Sequence, residues 1–186
     1  DIFNEIKFVF DHQKDMGTIM EGLESKEIPE RVTHNDTKLN NVMLDEKTHK
    51  AICVIDLDTV MPGSILFDFG DAIRIGASTA LEDEEDLSKV KLDLDLFSRF
   101  TKGFLEVLKD ELTFSELKNL VHSTKIITLE CGMRFLTDHL DGDRYFKITK
   151  ENHNLIRART QFKLVQEIEE KESKMQEIID NILATT

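Results

Sequence analysis

Apolar residues recur at the spacing of an α-helix along much of the chain. Residues 2–23 carry them at mixed helical spacings, and we expect one helix there. In the segment 96–108 the spacing is regular and predicts an amphipathic helix. The apolar face of that helix consists of Phe97, Phe100, Phe104 and Leu108.

Polar residues mark two further helix starts. Thr113 followed by Glu116 has the spacing of a capping box, and an apolar stripe from Leu117 to Ile127 continues behind it. Thr149 is expected to cap a long final helix. The residues predicted to face inward on that helix are Leu155, Phe162, Val165 and Ile168.

Two short runs between these helical segments have the composition of β-strands. Residues 42–44 and 51–55 are rich in apolar residues and are separated by the polar turn 45–50, which predicts a hairpin. Pro62 and Gly63 are expected to break the chain afterwards. The whole pattern predicts a single domain over residues 1–186 with an α+β, mostly helical fold and one short β-hairpin.

Composition and charge exclude several classes of function. Of the 186 residues, 40% are hydrophobic and 33% are charged, which is typical of a globular domain. No apolar run is long enough to span a bilayer, so we expect no membrane partner. The formal net charge of −13, without a basic stripe, argues against nucleic acid binding. No secretory signal opens the sequence, and a cytoplasmic location is expected.

Several other polar features have ordinary explanations. Cys53 and Cys131 stand in apolar surroundings without a metal-ligand spacing, and we expect two buried thiols in a reducing compartment. The acidic run 82–86 is expected to be a solvated loop or helix start rather than a cation site. Asp71 and Arg74 could form a local ion pair.

The segment with the most chemical information is residues 34–41, which has the pattern H-x-D-x-x-x-x-N. In the catalytic loop of kinases, the Asp of this pattern accepts the proton of the acceptor hydroxyl and the Asn binds magnesium. Phosphoryl transfer depends on in-line positioning and on cations around the phosphate oxygens. The pattern predicts Asp36 as the base and Asn41 as a magnesium ligand.

The predicted hairpin explains how these groups could meet a second carboxylate. Asn41 precedes the first strand and Asp56 follows the second, so antiparallel pairing would put the two residues side by side. They could then share one magnesium ion. Lys38 is placed to steady the transferred phosphoryl group as a point charge. Asp58 could share the metal or cap a turn.

The sequence also contains Asp68-Phe69-Gly70, the three residues that kinases use to hold magnesium. Asp68 lies twelve positions beyond Asp56, and no clear strand connects it to Asn41. We therefore assign the metal to Asp56, and we expect Asp68 to anchor the catalytic loop through backbone N–H groups. His34 is expected to support the site by packing and hydrogen bonding rather than to act as a base.

At these residues the chain resembles the aminoglycoside phosphotransferase and choline kinase superfamily, whose fold is protein-kinase-like. HNDTKLNNVMLD (34–45) and VIDLDTVMPGSILFDFGDAIR (54–74) are most similar to its sugar-kinase branch, the N-acetylhexosamine 1-kinases. ECGMRFLTDHLDGDRYFKI (130–148) and RARTQFKLVQ (157–166) strengthen the similarity, which extends from about Arg31 to Gln166.

The resemblance implies an ATP- and magnesium-dependent transferase that phosphorylates a hydroxyl of a small sugar, the anomeric hydroxyl of an N-acetylhexosamine. It implies Asp36 as the base and Asn41 with Asp56 as the magnesium ligands. Arg134 and Tyr145 fall where this branch contacts the sugar. From the sequence alone, Arg134 could instead be a helix-surface charge and Tyr145 a packed ring.

One part of a kinase is missing from the sequence. Kinases cover the ATP phosphates with a Gly-rich loop and pair them with a Lys on a preceding strand. Neither pattern occurs here, and the residues before His34 have a helical pattern. We therefore expect the C-terminal lobe of a two-lobed enzyme, which agrees with a first residue, Asp1, that is not Met. The isolated lobe is expected to have negligible activity.

Two alternatives stay open at this point. The same mechanism could act on another small acceptor, such as choline, homoserine or an aminoglycoside. The chain could also be a non-catalytic module, a pseudokinase or helical scaffold that kept the loop. The joint presence of Asp36, Asn41 and Asp56 speaks against the second alternative, because an inactive site has no physical need for all three.

Overall fold

The computed structural model describes residues 2–185 and is built mainly from helices. The α-helices of these residues are α1 (Phe3–Asp11), α2 (Thr18–Glu24), α3 (Ile65–Gly76), α4 (Leu94–Leu108), α5 (Phe114–Lys118), α6 (Leu120–Leu140) and α7 (His153–Thr185). The strands are β1 (Arg31–Thr33), β2 (Val42–Leu44), β3 (Ala51–Val54) and β4 (Met61–Gly63). This composition confirms the predicted mostly helical α+β fold.

Strands β2 and β3 form the predicted hairpin. They pair antiparallel, with Val42 opposite Val54, and the turn between them is held by the Asp45 carboxylate. That carboxylate accepts hydrogen bonds from the backbone N–H groups of Lys47 and Thr48, at 3.1 and 2.7 Å. The register places the residue before β2 directly beside the residues that follow β3.

A second antiparallel pair, between β1 and β4, was not predicted. Pro62 lies opposite Val32, so Pro62 and Gly63 belong to a strand and are not the chain break that the sequence suggested. Proline is tolerated here because each strand of a two-stranded sheet is an edge, where a missing N–H leaves no ladder partner unpaired. The pair therefore joins the chain just before the loop that begins at His34 to the chain that follows the β2–β3 hairpin.

The prediction of one helix over residues 2–23 is wrong, because the structure has two helices separated by residues 12–17. Side-chain contacts tie this separating segment to the long helices. The His12 Nε2 atom lies 3.1 Å from a Glu169 oxygen, and the Lys125 ammonium lies 2.8 Å from an Asp15 oxygen. These long-range contacts outweigh the local helical pattern.

The final helix begins later than the sequence indicated. Asn152 has a left-handed backbone with φ of 56°, which ends any extension of α7 toward Thr149. Thr149 is therefore not its cap, and its backbone N–H donates instead to the His153 ring at 3.2 Å. The four residues predicted to face inward are all buried, as expected: Leu155, Phe162, Val165 and Ile168.

Helix α7 contributes to both hydrophobic clusters of the core. Its first half packs with α6 and α1 around Phe135 and Phe162, and its second half packs with α3 and α4 around Phe69 and Phe97. The predicted capping box at the start of α5 is confirmed, with Glu116 fully buried. Helix α3, which carries Asp68, packs into the second of these clusters through Leu66 and Phe69.

The two cysteines differ from the prediction of two buried thiols. Cys53 is exposed, because every residue of β3 is solvent-accessible in the described chain. Cys131 is half-buried in α6, and burial raises the pKa of its thiol to about 12. Cys131 therefore lacks the lowered pKa of an activated thiolate. As for membranes, none of the helices in residues 2–185 combines the length and apolarity that spanning a bilayer requires.

Candidate active site

The loop between β1 and β2 is held by the carboxylate of Asp68. The backbone N–H groups of His34 and Asn35 donate to the two Asp68 oxygens at 2.8 and 2.7 Å. The Thr37 hydroxyl donates to the Asp68 backbone oxygen at 2.6 Å. These are the backbone contacts that the sequence led us to expect for Asp68, and they fix the loop that carries Asp36.

The three residues Asp68-Phe69-Gly70 lie in the first turns of α3, and each has a structural explanation. The ring of Phe69 is fully buried and meets the ring of Phe104 edge-on, with centroids 5.0 Å apart. A Cβ atom on Gly70 would lie 2.6 Å from the Ser123 backbone oxygen, so glycine permits the close approach of α3 to α6. A metal-binding role is not needed to explain this triplet.

Asp36 is held by two donors on one of its carboxylate oxygens. The Lys38 ammonium and the Asn41 amide nitrogen lie 2.7 and 2.9 Å from Oδ2. Burial raises the pKa of Asp36, but hydrogen bonds from Lys38 and Asn41 outweigh that effect and bring the pKa below its ordinary value. The carboxylate is therefore ionised at neutral pH, and Oδ1 accepts no hydrogen bond from the described chain. Oδ1 is the atom that could take up a proton.

The hairpin brings Asn41 and Asp56 together. Ile55 donates its backbone N–H to the Asn41 backbone oxygen at 2.9 Å, which sets Asp56 next to Asn41. The Asn41 side chain is buried, and its amide nitrogen also donates to the Asp36 backbone oxygen at 2.9 Å. The amide oxygen is thereby turned away from Asp36. The hydrogen bond to Asp36 raises the pKa of Lys38, and the negative charge of Asp56 adds to that effect, so Asp56 lies within electrostatic range of Lys38.

The donor set of Asn41 and Asp56 fits a magnesium ion. Mg²⁺ prefers oxygen ligands and is usually held by one or two carboxylates together with waters and substrate phosphates. Asn41 offers an amide oxygen, and the Asp56 carboxylate accepts no hydrogen bond within residues 2–185. The described residues contain no group of three or more His, Cys, Asp or Glu side chains suited to a metal, so phosphate and water oxygens would complete the coordination.

The two remaining residues near the loop differ in their contacts. A ring nitrogen of His34 lies 3.1 Å from the Ile55 backbone oxygen, and the Thr59 hydroxyl donates to the His34 backbone oxygen at 2.7 Å. His34 thus joins the loop to the exit of the hairpin. Asp58 is exposed in a single 3₁₀ turn, Leu57–Thr59, and no hydrogen bond or ion pair in the described part of the chain connects it to Asn41.

A cavity of about 780 Å³ adjoins the catalytic loop. This volume is in the range of sites for small molecules. Its lining includes Asp36, Lys38, Arg74, Arg134, Phe146 and Arg157. The predicted base and one of the two predicted sugar contacts therefore share a single cavity.

The two residues that the resemblance assigns to the sugar lie in different surroundings. Arg134 lines the cavity, and its guanidinium lies 5.5 Å from the centre of the Phe146 ring. Tyr145 is 75% exposed and packs edge-on against Phe146. It lines a neighbouring cavity of about 510 Å³ together with Arg134, and not the cavity that contains Asp36.

Asp138 orders the loop that closes this side of the cavity, a role that the sequence did not indicate. It accepts backbone N–H groups from Arg144, Tyr145 and Phe146 at 2.9, 2.8 and 2.9 Å. The Asn154 amide adds a fourth hydrogen bond at 2.7 Å. A contact between a helix and a loop six to eight residues later has no periodic signal by which it could be predicted.

The acidic run 82–86 is a partly exposed loop that leads into a 3₁₀ turn capped by Asp86, as expected, and several of its carboxylates also pair with basic side chains. Arg74 binds Asp71 at 2.8 Å, as suggested, and also Glu82 at 2.9 Å. Asp83 lies 3.1 Å from the His153 ring, and Glu85 lies 2.9 Å from the Lys150 ammonium. The excess of basic residues around position 150 was the available sign that this run has internal partners.

A comparison with protein-family models agrees with this geometry. Residues 11–99 match the model of the APH phosphotransferase enzyme family. The matched segment contains the catalytic loop, the hairpin, Asp56 and Asp68. Enzymes of this family are ATP-dependent kinases that generally use Mg²⁺. The match covers 89 of the 186 residues and agrees with the superfamily that the sequence resembles.

Proposed function

We propose that this protein is a small-molecule kinase that transfers the γ-phosphate of ATP to a hydroxyl of a sugar. One observation carries the proposal: an ionised Asp36 with a free Oδ1 lines a cavity of small-molecule size. The family match supports phosphoryl transfer, and the size of the cavity supports a small acceptor.

The residues of the site suit an in-line transfer. The acceptor oxygen attacks the γ-phosphorus, its proton passes to Asp36 Oδ1, and the bond to the leaving ADP oxygen breaks. Asp36 raises the pKa of Lys38 by hydrogen bonding, so Lys38 stays cationic beside the reacting groups. Asn41 and Asp56 would hold a magnesium ion, which when bound neutralises charge on the phosphate oxygens.

The finer assignment is the anomeric hydroxyl of an N-acetylhexosamine. It is supported by the similarity of segments 34–45, 54–74 and 130–148 to the N-acetylhexosamine 1-kinases. Arg134 would contact the sugar, since it lines the cavity of Asp36. Tyr145 would take part only with an acceptor that extends over Phe146 into the neighbouring cavity.

We also propose that residues 1–186 act as the C-terminal lobe of the kinase, with the Gly-rich loop and its strand Lys supplied by another segment. The exposed apolar side chains of the hairpin support this arrangement, because such surfaces usually mark an interface. They are Met43, Leu44, Ile52 and Val54. Residues 1–186 alone should then transfer phosphate at a negligible rate.

Transfer from labelled ATP by the full-length protein tests these assignments. The acceptors are N-acetylglucosamine, its methyl glycoside, choline, homoserine and kanamycin, each with and without Mg²⁺. We expect a Mg²⁺-dependent sugar 1-phosphate from N-acetylglucosamine and no product from the methyl glycoside, whose anomeric oxygen is blocked. Product from choline, homoserine or kanamycin alone would favour another acceptor, and no transfer together with no Mg²⁺-dependent nucleotide binding would favour a non-catalytic module.

A further inference from the structure

We propose that the acceptor carries an anionic group, a carboxylate or a phosphate, in addition to the hydroxyl that is phosphorylated. The group would bind a cationic wall of the cavity, defined as Arg134, Lys147 and Arg157. This inference rests on the proposed function and narrows its substrate to acidic sugars, such as a hexose or N-acetylhexosamine with an acidic substituent.

The charge of the cavity is opposite to that of the chain. Its lining contains five cationic side chains and two carboxylates, in a protein whose formal net charge is −13. The cations are Lys38, Arg74, Arg134, Lys147 and Arg157, and the carboxylates are Asp36 and Glu82. A cleft of one sign raises the local concentration of a ligand of the other sign.

Two of the five cations are already neutralised by close partners. Lys38 lies 2.7 Å from Asp36, and Arg74 lies 2.8 and 2.9 Å from Asp71 and Glu82. The surplus positive charge therefore belongs to the cationic wall.

Arg157 has a buried donor without an acceptor. Its Nε atom makes no hydrogen bond within the described residues, and the nearest carboxylate oxygen, on Glu82, is 4.0 Å away. Its Nη1 atom donates to the Lys147 backbone oxygen at 3.2 Å and to Asn154 at 3.1 Å. A buried, unsatisfied N–H is costly, and an anionic oxygen in the cavity would satisfy it.

The other two members of the wall are also weakly paired. Arg134 Nε lies 3.7 Å from Glu130, which is beyond hydrogen-bonding distance, and burial raises the pKa of Glu130. The Lys147 ammonium makes neither an ion pair nor a hydrogen bond with any residue in 2–185. Both side chains are thus available to a ligand.

Aromatic rings hold the two guanidinium groups in place. The rings of Phe135 and Phe146 pack with their centroids 4.7 Å apart. Arg134 lies 5.5 Å from the Phe146 ring centre, and Arg157 lies 5.4 Å from that of Phe135. Guanidinium groups fixed in this way are suited to the oxygens of a carboxylate or a phosphate. Because Asp36 lines the same cavity, one small molecule could present an anion to the wall and a hydroxyl to Asp36.

NMR titration of the 186-residue chain with D-glucuronate and D-glucose tests the inference, since the two sugars differ only in the carboxylate. We expect glucuronate to bind at least about tenfold more tightly, the effect of one charge-assisted hydrogen bond. Lys147→Gln and Arg157→Gln should each remove most of that preference, because they should weaken glucuronate binding by more than glucose binding. Lys102→Gln, which removes an exposed charge on α4 that does not line the cavity, is the matched control and should leave the preference intact.

Further ligands separate the sources of the anion and the effect of misfolding. Glucose 6-phosphate, bound more tightly than glucose and weakened by the same two variants, would support the phosphate form of the proposal. Arg157→Lys keeps the charge and should restore part of the preference, which a folding defect would not allow. Equal binding of glucose and both acidic sugars would overturn the proposal. The proposal would also be overturned if Lys147→Gln and Arg157→Gln both lost tripolyphosphate binding while the wild-type chain showed no preference for acidic sugars. The cationic wall would then bind the phosphates of the nucleotide.

Transfer assays distinguish this inference from the proposed function. If the full-length enzyme phosphorylates N-acetylglucosamine with a higher kcat/KM than N-acetylglucosamine 6-phosphate, the anionic preference is wrong and the kinase assignment stands. If no sugar hydroxyl is phosphorylated, the proposed function fails, and a preference for glucuronate in the titration would still show the wall to be an anion site.

Discussion

Asp36 illustrates how a few neighbouring groups set the state of a single carboxylate. Lys38 and Asn41 both donate to Oδ2, so the negative charge is stabilised on one oxygen and the other stays open. A general base must be ionised and within reach of the proton that it accepts. The lowered pKa of Asp36 meets the first condition, and its open Oδ1 is the atom that could accept the proton.

The first prediction concerns the pH dependence of transfer. The pKa of Asp36 lies below its ordinary value. Asp36 should therefore remain ionised as pH falls and become protonated only below the usual Asp pKa of about 4, where transfer should be lost. Lys38→Met removes one hydrogen bond and one positive charge, so the pKa of Asp36 should rise. The acid limb of kcat/KM for the full-length enzyme should then move to higher pH. An unmoved limb, or an equal shift in Lys102→Met, would contradict the account.

The second prediction concerns magnesium. Asp56 has a left-handed backbone with φ of 62°, and asparagine adopts that conformation readily. Asp56→Asn should therefore leave the free energy of unfolding within about 0.5 kcal/mol of wild type. The Mg²⁺ concentration for half-maximal transfer should rise by about tenfold or more. Asp110→Asn, which changes an exposed carboxylate outside the cavity lining, is the control, and Asp58→Asn should have a smaller effect than Asp56→Asn.

At the residue scale, the sequence predicted site residues that lie close together along the chain and missed others that lie far from them. Asp36, Asn41 and Asp56 belong to a short motif and a hairpin, and a local register brings them together. Lys147 and Arg157 come from a loop and a helix 91 to 121 residues later. Only the packing of α6 and α7 beside α3 puts them on the same cavity, and no local pattern carries that information.

At the scale of elements, the link between β1 and α5 holds the entry to the catalytic loop. Arg31 in β1 donates from Nε and Nη2 to the two carboxylate oxygens of Glu116, at 2.6 and 2.8 Å. The same Glu116 closes the capping box of α5 by accepting the Thr113 backbone N–H at 2.7 Å. One buried carboxylate therefore fixes both a strand and a helix start.

The third prediction is a loss of stability in Glu116→Gln. The variant leaves the Arg31 guanidinium without its countercharge, and unfolding in urea near pH 7 should require about 2 kcal/mol less free energy. Burial raises the pKa of Glu116, but the hydrogen bonds from Arg31 and Thr113 lower it by a larger amount. The net shift of the Glu116 pKa is therefore downward. The stabilisation is then present above the unfolded pKa of about 4.3 and is lost as pH falls through the folded pKa.

The difference in unfolding free energy between wild type and Glu116→Gln should accordingly shrink toward pH 3. Glu106→Gln removes an exposed i,i+4 partner of Lys102 on α4 and should change stability by at most about 0.5 kcal/mol. A Glu116→Gln deficit of equal size near pH 7 and pH 3 would refute the assigned electrostatic origin.

Elements with strong local patterns were predicted well, and those that depend on distant partners were not. The amphipathic helix α4, the capping box and the β2–β3 hairpin all follow from short-range signals. The strand β4 contains Pro62 and Gly63, which locally favour a turn, and it exists because β1 pairs with it. The break between α1 and α2 likewise depends on contacts with α6 and α7.

At the scale of the whole molecule, the site lies where three kinds of surface meet. The catalytic loop rests on α3, the cation-lined cavity extends along α6 and α7, and the hairpin exposes apolar side chains such as Met43 and Ile52. An enzyme that joins two substrates needs a surface for each. We assign the cavity to the acceptor and the hairpin side to the nucleotide-binding lobe.

The fourth prediction follows from that division. The 186-residue chain should bind acceptor sugars but transfer phosphate at a negligible rate, whereas the full-length protein should turn over. Addition of ATP and Mg²⁺ to the 186-residue chain, with product detected by ³¹P NMR, is the measurement. Turnover by the chain comparable to that of the full-length protein would show that the nucleotide site is complete within it.

The most direct test of the central claim is the turnover of Asp36→Asn in the full-length enzyme. The substitution keeps the size of the side chain and removes the proton acceptor, so kcat should fall by about 100-fold or more while the melting temperature stays near wild type. Asp110→Asn should retain normal kcat. Near-normal turnover in Asp36→Asn would contradict the assignment of Asp36 as the base.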